Sequence, residues 1–460
     1  MQQYAATLKV LQEANTQASP FRGAFNQARN IGNYEALLVI HTDHAQAWHQ
    51  RSKRIVRHFW LRRRDGADER RFTGIRHAEH TYICQQHQLQ QQLFRNFAET
   101  EIKPLAKDMD EAEAYDMELL AKIQKCGFLG IPYAREYGGA GSDTLAYTLC
   151  MEEMSKIDAS TGIMISVHTS LCCSCINNFG TEDQKQRFLR PLIDGSKVGC
   201  YGLTEPGAGS DVQGAQTTAV KDGDEWVING SKIFTTNSGF ADTCVLFALT
   251  DRSVPAAKGM TAFIVDLKEM PGISVSDNIE RMGIRAASNC IVSYENVRVP
   301  ADRVLGQVGK GFKIAMAALD CGRIGIAAQS VGIAQGALDE AIKYAKERKQ
   351  FGKPVIAFQN SQFKVAEMQT KIDAARLMTW RAAVAEDNHE TFGPLAAMAK
   401  LFASDVANEV TRYAVQLMGG YGYCREYPVE RAMRDAKITE IYEGTSEVMK
   451  MVIAGSMKLK

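Results

Sequence analysis

Residues 440–447 read Glu-Ile-Tyr-Glu-Gly-Thr-Ser-Glu, so Glu443 stands immediately before a glycine. Far upstream the chain carries Leu203-Thr-Glu-Pro-Gly-Ala-Gly-Ser-Asp211, a loop rich in glycine and hydroxyl side chains. A carboxylate in one segment and such a loop in the other read as a base and a cofactor cradle. Glycines let the backbone come close to a bound group, and backbone amides and hydroxyls can donate to it. A dinucleotide fingerprint needs strand, G-x-G-x-x-G and helix in succession. The succession around 203–211 is different, so a Rossmann-type site is not expected.

Outward from these segments the hydrophobic period changes twice. From about residue 85 to 195 it is helical: Leu93, Phe97, Ile102 and Leu105 recur at spacings of three to five, as do Met151, Met154 and Ile157. Pro132 and Gly138-Gly139-Ala-Gly141 break that run in two. From about 198 to 300 the pattern is β. Trp226-Val-Ile228, Asn229-Gly230 and Ile233-Phe234 read as a hairpin with a tight turn. Residues 245–249, 261–265 and 290–294 are further strand candidates. From about 310 onward the helical period returns. Ile324, Ala328, Val331, Ala334, Leu338 and Ile342 form one stripe, and Phe402, Val406, Val410, Tyr413 and Leu417 another. Long helices with short glycine-bearing joints predict a four-helix bundle.

At 460 residues, 45% hydrophobic and 23% charged, the chain has an ordinary globular composition and room for two to four domains. A net charge of +1 gives no global reason to expect nucleic acid, and no run of apolar residues is long enough to predict membrane insertion. The eleven cysteines are scattered. Cys172, Cys173 and Cys175 cluster without a second pair at zinc-site spacing, so buried free thiols and no metal are expected. Residues 1–80 stand apart, with 13 Lys and Arg against 7 Asp and Glu, and Arg62-Arg63-Arg64 and Arg70-Arg71 beside Phe59-Trp60. An interaction arm for nucleic acid or anionic lipid is one reading and a transit peptide a second. An atypical extension or a mis-assigned translation start is the preferred one.

Taken together, the segments resemble the acyl-CoA dehydrogenase family over about 83–460. That resemblance implies an α+β fold: an N-terminal helical domain at 83–197, a middle β-barrel-like domain at 198–301 and a C-terminal four-helix bundle at 302–460. Residues 1–82 are left as the extension. It implies FAD as cofactor, with Tyr201, Leu203, Thr204, Gly209 and Ser210 in the first flavin segment. By matching position, Thr204 bonds the ring and Ser210 also contacts substrate. Phe234-Thr235-Thr236 matches an aromatic-x-Thr triplet in which many relatives carry Trp. Arg348, Gln350, Phe351, Phe358 and Gln359 match a stretch that reaches the FAD of a neighbouring subunit. A guanidinium fork at Arg348 suits pyrophosphate oxygens. Gln416, Gly419 and Gly420 match the adenosine contact, and Thr445 and Glu447 further FAD contacts.

The same resemblance makes Glu443 the base of an α,β-dehydrogenation. Cα loses a proton to it while hydride leaves Cβ for the flavin. Glu440 is a nearby decoy. Some branches of the family carry the base on a mid-chain helix, at a position matched here by Gly322, which cannot serve. Asp320, Arg323, Tyr442 and Gly444, with Ser210, fall on the substrate side. The closest likeness is to short-chain, butyryl-CoA enzymes. The candidate lining 161–176 has no Lys or Arg to meet a dicarboxylic substrate, and His168 there reads as a core histidine. An electron-transfer flavoprotein as redox partner, a homotetramer built as a dimer of dimers, and a cytoplasmic (if bacterial) or mitochondrial-matrix (if eukaryotic) location are implied. Two alternatives stay open: an acyl-CoA oxidase or other acyl specificity on the same scaffold, and a flavin-bearing DNA-binding relative.

Overall fold

The computed structural model describes residues 73–459, with side chains from residue 85 onward. Most of the expected basic extension, residues 1–72, lies outside the described residues. From Leu89 on, the described chain is one compact unit.

The N-terminal part is helical: α1 (Thr73–Phe97), α2 (Ala106–Ala112), α3 (Met117–Lys125), α4 (Thr144–Ile157) and α5 (Ala159–Phe179). Asp116, Asp143 and Asp158 start α3, α4 and α5 by accepting the amides of Leu119, Ala146 and Thr161, each satisfying one orphan donor of the first turn. One expected core position is corrected. Leu93 is 55% exposed, while Phe94 and Phe97 are buried and pack on Phe128. Both sets fit a helical spacing. A π-turn at Ala98–Ile102 inserts an extra residue per turn and brings Ile102 inward in line with Phe94 rather than Leu93. α5 carries a second π-segment, Val167–Cys173, and every residue of that segment is buried.

The middle part is an eight-stranded sheet. β1 (Gly199–Gly202), β2 (Thr218–Asp222), β3 (Glu225–Thr236), β4 (Thr243–Leu249), β5 (Met260–Asp266), β6 (Ile273–Val275), β7 (Asn289–Pro300) and β8 (Val304–Leu305) run in the order β6-β7-β3-β2-β4-β5-β8, with β1 parallel to β4. β4 and β5 are buried on both faces, which explains their unbroken apolar runs. The expected hairpin at Asn229-Gly230 is not there. β3 continues through it with a register shift against β7, and the tight turn lies earlier, where Asp222 pairs with Glu225. A paired neighbour converts an Asn-Gly step into a bulge, and Asn229 is tied to Asn296 of β7 through its side chain.

The C-terminal part holds α6 (Gly311–Glu347), the short strands β9 (Lys349–Gln350) and β10 (Lys353–Pro354), α7 (Gln359–Asp387), α8 (Gly393–Met418), α9 (Val429–Ile438) and α10 (Ser446–Ser456). α6 to α9 form the expected four-helix bundle, with α8 against the other three. α6 also lies close on α4. A Cβ at Gly332 or Gly336 would stand 2.3 Å or 2.1 Å from the carbonyl oxygens of Glu152 and Lys156, so the two backbones meet without side chains between them. α5 and α6 are long and apolar enough in composition to cross a bilayer, yet both are core helices, their apolar windows 100% and 78% buried. Arg434 pairs with Asp110 at 2.7 Å, and the neighbouring Asp435 accepts the Ile284 amide at 2.5 Å, so α9 ties the helical and β parts together beneath the turn that follows it.

Candidate active site

After α9 the chain turns through residues 439–445 and enters α10 behind Thr445, whose hydroxyl accepts the Val448 amide. Within that turn Glu443 and Gly444 are both left-handed, with φ +52° and +98°. A glutamate at such a φ costs about 1–2 kcal/mol, so the surroundings must hold it. Arg323 Nε donates to the Glu443 carbonyl at 3.4 Å and Lys400 Nζ to the Gly444 carbonyl at 2.7 Å.

Both carboxylate oxygens of Glu443 are shielded from solvent, and neither has a hydrogen-bond partner. Burial pushes this carboxyl up to about 8, against the opposing pull of Lys400 and Arg323. The side chain points across to α6: a Cβ built on Gly322 would lie 2.0 Å from Oε2 and 2.9 Å from Leu171. A glycine therefore stands where any larger residue would displace the carboxylate. A desolvated, unbonded carboxyl of raised basicity is what a general base requires.

Arg323 forms a 2.5 Å ion pair with Asp320, whose carboxyl is raised by burial. Tyr442 donates to Gln329 Oε1, and Gln329 donates on to the Ala159 carbonyl. The decoy Glu440 is occupied by Lys437 at 2.5 Å. His168 accepts the Gly199 amide through Nδ1, and burial draws it down to about 4, so it is a neutral core histidine. Lys400 is the residue that sequence reading missed. It is fully buried in α8, and the signal was a single lysine inside the run Ala396-Ala397-Met398-Ala399-Lys400.

The first cradle segment leaves β1 at Gly202. Lys232, with no exposed surface, donates to the Leu203 carbonyl at 3.0 Å and pairs with Glu205 at 2.7 Å. Glu205 also accepts the amides of Gln216 and Thr217. Burial works to raise this carboxyl, but Lys232 and the amides hold it below the usual carboxylate range. These bonds brace the loop, leaving Gly207, Gly209 and Ser210 exposed on its outer side. Thr204 accepts the Ile233 amide at 2.9 Å, which sets the loop beside the end of β3. There Phe234 has φ +56° and is 57% exposed, while Thr235 is buried with a hydroxyl that finds no partner. Tyr201 bonds the Ala315 carbonyl of α6.

A second group of predicted residues collects elsewhere. Arg348, Gln350, Gly419 and Gly420 line a hollow of about 440 Å³ with Tyr344 and Tyr421. A Cβ on Gly419 or Gly420 would meet nothing within 4 Å. Arg348 stands over the Tyr421 ring at 5.6 Å. Phe351, 93% exposed, meets Phe358 edge-on at the β9–β10 turn. Gln359 and Gln416 are exposed beside these segments, and Gln416 does not line the hollow. Glu447 sits in the first turn of α10, where its own amide and the Thr445 hydroxyl hold its carboxyl below the ordinary range. No residue of 201–210 or 234–236 lines the hollow, so the described subunit does not join the two cradle segments into one site.

The residues fit FAD. The exposed Phe234 ring, the partnerless Thr235 hydroxyl and the exposed Gly207 and Gly209 belong to the first segment, and in the second the Arg348 guanidinium shares a hollow with two glycines whose Cβ positions are open. Profiles of the acyl-CoA dehydrogenase N-terminal, middle and C-terminal domains match residues 85–196, 200–297 and 309–458. The chain is 52% identical over 375 residues to a short-chain specific acyl-CoA dehydrogenase of Clostridium acetobutylicum, covering 82% of this chain and 98% of that one. It is 44% identical over 380 residues to a subunit of a caffeyl-CoA reductase–Etf complex of Acetobacterium woodii, covering 82% and 100%. The solved butyryl-CoA dehydrogenase of Megasphaera elsdenii superposes with a TM-score of 0.79 at 46% identity, covering 81% and 98%. The chain belongs to the acyl-CoA dehydrogenase family.

Proposed function

We propose that this chain introduces an α,β double bond into a short-chain, butyryl-like acyl-CoA, or reduces the corresponding enoyl-CoA, and exchanges the electrons with an electron-transfer flavoprotein. The observation that carries this reading is the Glu443 carboxyl: shielded, unbonded, raised to about 8 and facing the gap left by Gly322. FAD, when bound, supplies the hydride acceptor. Glu443 takes the Cα proton onto its carboxylate, and the amide of Glu443, a left-handed residue of the turn, is the chain's own donor to a thioester oxygen that gains charge as the proton leaves. Tyr442, Gly444, Asp320 and Arg323 shape the turn around it, and Ser210 and the outer loop face the substrate and flavin.

A short acyl group is supported by the 52% identity to a short-chain specific relative. A distal carboxylate has no counter-charge among the described residues of 161–176, since that stretch has no Lys or Arg and His168 stays neutral. Partition of the cradle segments supports a homotetramer in which Arg348, Gln350, Phe351, Phe358, Gln359, Gln416, Gly419 and Gly420 serve a neighbour's FAD. Removal of the guanidinium in Arg348→Ala is then expected to weaken FAD retention about tenfold or more. The flavin-to-protein absorbance ratio after gel filtration measures it, and full occupancy would count against the assignment. A cytoplasmic location if the chain is bacterial, or a mitochondrial-matrix one if it is eukaryotic, belongs to the same reading.

The deciding experiment is anaerobic titration of the purified holoprotein with butyryl-, octanoyl-, isovaleryl- and glutaryl-CoA, followed by flavin absorbance. Rapid bleaching by butyryl-CoA with slower bleaching by the others is expected. A flavin that no acyl-CoA bleaches would end this reading.

A further inference from the structure

Lys400 is fully buried. An ammonium taken out of water is costly unless it is bonded and its charge offset. Its Nζ donates 2.7 Å to the Gly444 carbonyl, while Arg323 from α6 donates to the Glu443 carbonyl. Two helices thus set one cation on each of two successive carbonyls, and those two residues are the left-handed pair that aims the carboxylate at Gly322.

Among the described residues, the charged and titratable groups that act on the Glu443 carboxyl are few. They are Lys400 from α8, Arg323 with Asp320 from α6, Tyr147 from α4, Tyr201 from β1, and Tyr442 on its own turn. Burial keeps all three phenols protonated and neutral. Arg323 is committed to Asp320 at 2.5 Å. Around Lys400 stand Glu443, Arg323, Glu440 and Asp405, and Glu440 is itself paired with Lys437. Arg323 also draws the carboxyl down, but Lys400 is the stronger of the two positive charges acting on the base.

We propose that Lys400 is a positioning residue for the base: its bond to the Gly444 carbonyl fixes the left-handed Glu443–Gly444 turn, and its charge favours the Glu443 carboxylate over the protonated acid, against the effect of burial. This rests on the reading of Glu443 as the base. Burial draws the Lys400 ammonium down to about 8 with Glu443 opposing, so each group offsets the desolvation of the other.

The test uses the FAD-loaded enzyme and the variants Lys400→Met, Lys400→Gln and Lys400→Arg. Two quantities are followed with pH: kcat/KM, and the infrared band of the protonated carboxyl, assigned by its loss in Glu443→Gln. In the Met and Gln variants the acid limb and the infrared midpoint are expected to rise together by about one pH unit, a roughly tenfold loss of kcat/KM below the limb. Lys400→Arg, which keeps the charge, holds both where the wild type has them. The glutamine variant, which keeps a donor to Gly444, decides if methionine prevents folding. An unmoved limb and midpoint in the uncharged variants, or an equal displacement in Lys400→Arg and Lys400→Met, would overturn the proposal. Turnover surviving in Glu443→Gln would instead remove the base assignment itself, a separate result.

Discussion

Glu443→Gln is expected to lower turnover by about 10²–10⁴-fold while FAD content and acyl-CoA binding stay near wild type. The substitution keeps shape and volume and removes the proton acceptor alone. Both carboxylate oxygens lack partners, so no hydrogen bond is lost with them. Stability should respond in a definite direction. The carboxyl titrates at about 8 in the folded protein, against an ordinary value of 4.5. The folded state therefore holds a proton that the unfolded chain releases, and the contribution of Glu443 to wild-type stability falls as pH rises from about 4.5 to about 8. Glutamine has no such dependence. The variant should melt at or above the wild-type temperature, with a gap that widens over that range and then levels. Steady-state rates, flavin perturbation on binding acyl-CoA and melting scans across pH check all three. Retained turnover would take Glu443 out of the reaction, and a pH-independent melting gap would contradict the buried, proton-holding carboxyl.

The second large effect is expected at Gly322. An alanine there puts a methyl group 2.0 Å from Oε2 of Glu443 and 2.9 Å from Leu171. Helix α6 itself is not harmed, because alanine favours a helix over glycine by roughly 1 kcal/mol. The carboxylate must instead move away by an ångström or more. A shift of that size in a reacting group costs about a hundredfold in rate. Gly322→Ala is thus expected to fold, to retain FAD and to lose about two orders of magnitude in kcat. Its kcat and flavin content, measured side by side, separate a displaced base from a lost cofactor. A wild-type kcat would mean that the carboxylate does not occupy this gap during the reaction.

These two positions mark what could be read in the chain before folding. The order of helical, β and helical parts followed from side-chain periodicity, which is local and survives in one dimension. Glu443 before a glycine, the loop at 203–211 and the absence of a carboxylate at 322 are likewise matters of residue type in a short window. The first two pointed to the acyl-CoA dehydrogenase family, which the three domain profiles bear out, and the third set aside its branches with a mid-chain base.

Other features depended on partners distant in sequence. Leu93 and Phe94 fit a helical stripe equally well, and the π-turn at Ala98–Ile102 decided between them. Asn229-Gly230 carries turn chemistry, and only pairing of β3 with β7 turned it into a bulge within a strand. Lys400 offered little more than an odd charge in an apolar run. Its meaning appears when α8 brings it to the Gly444 carbonyl, 44 positions away. The sequence by itself determined which groups could do the chemistry, because reactivity belongs to residue type and short spacing. The tertiary structure decided how basic the carboxyl is and where it points, because desolvation and the field of buried charges arise only when separate helices close around it.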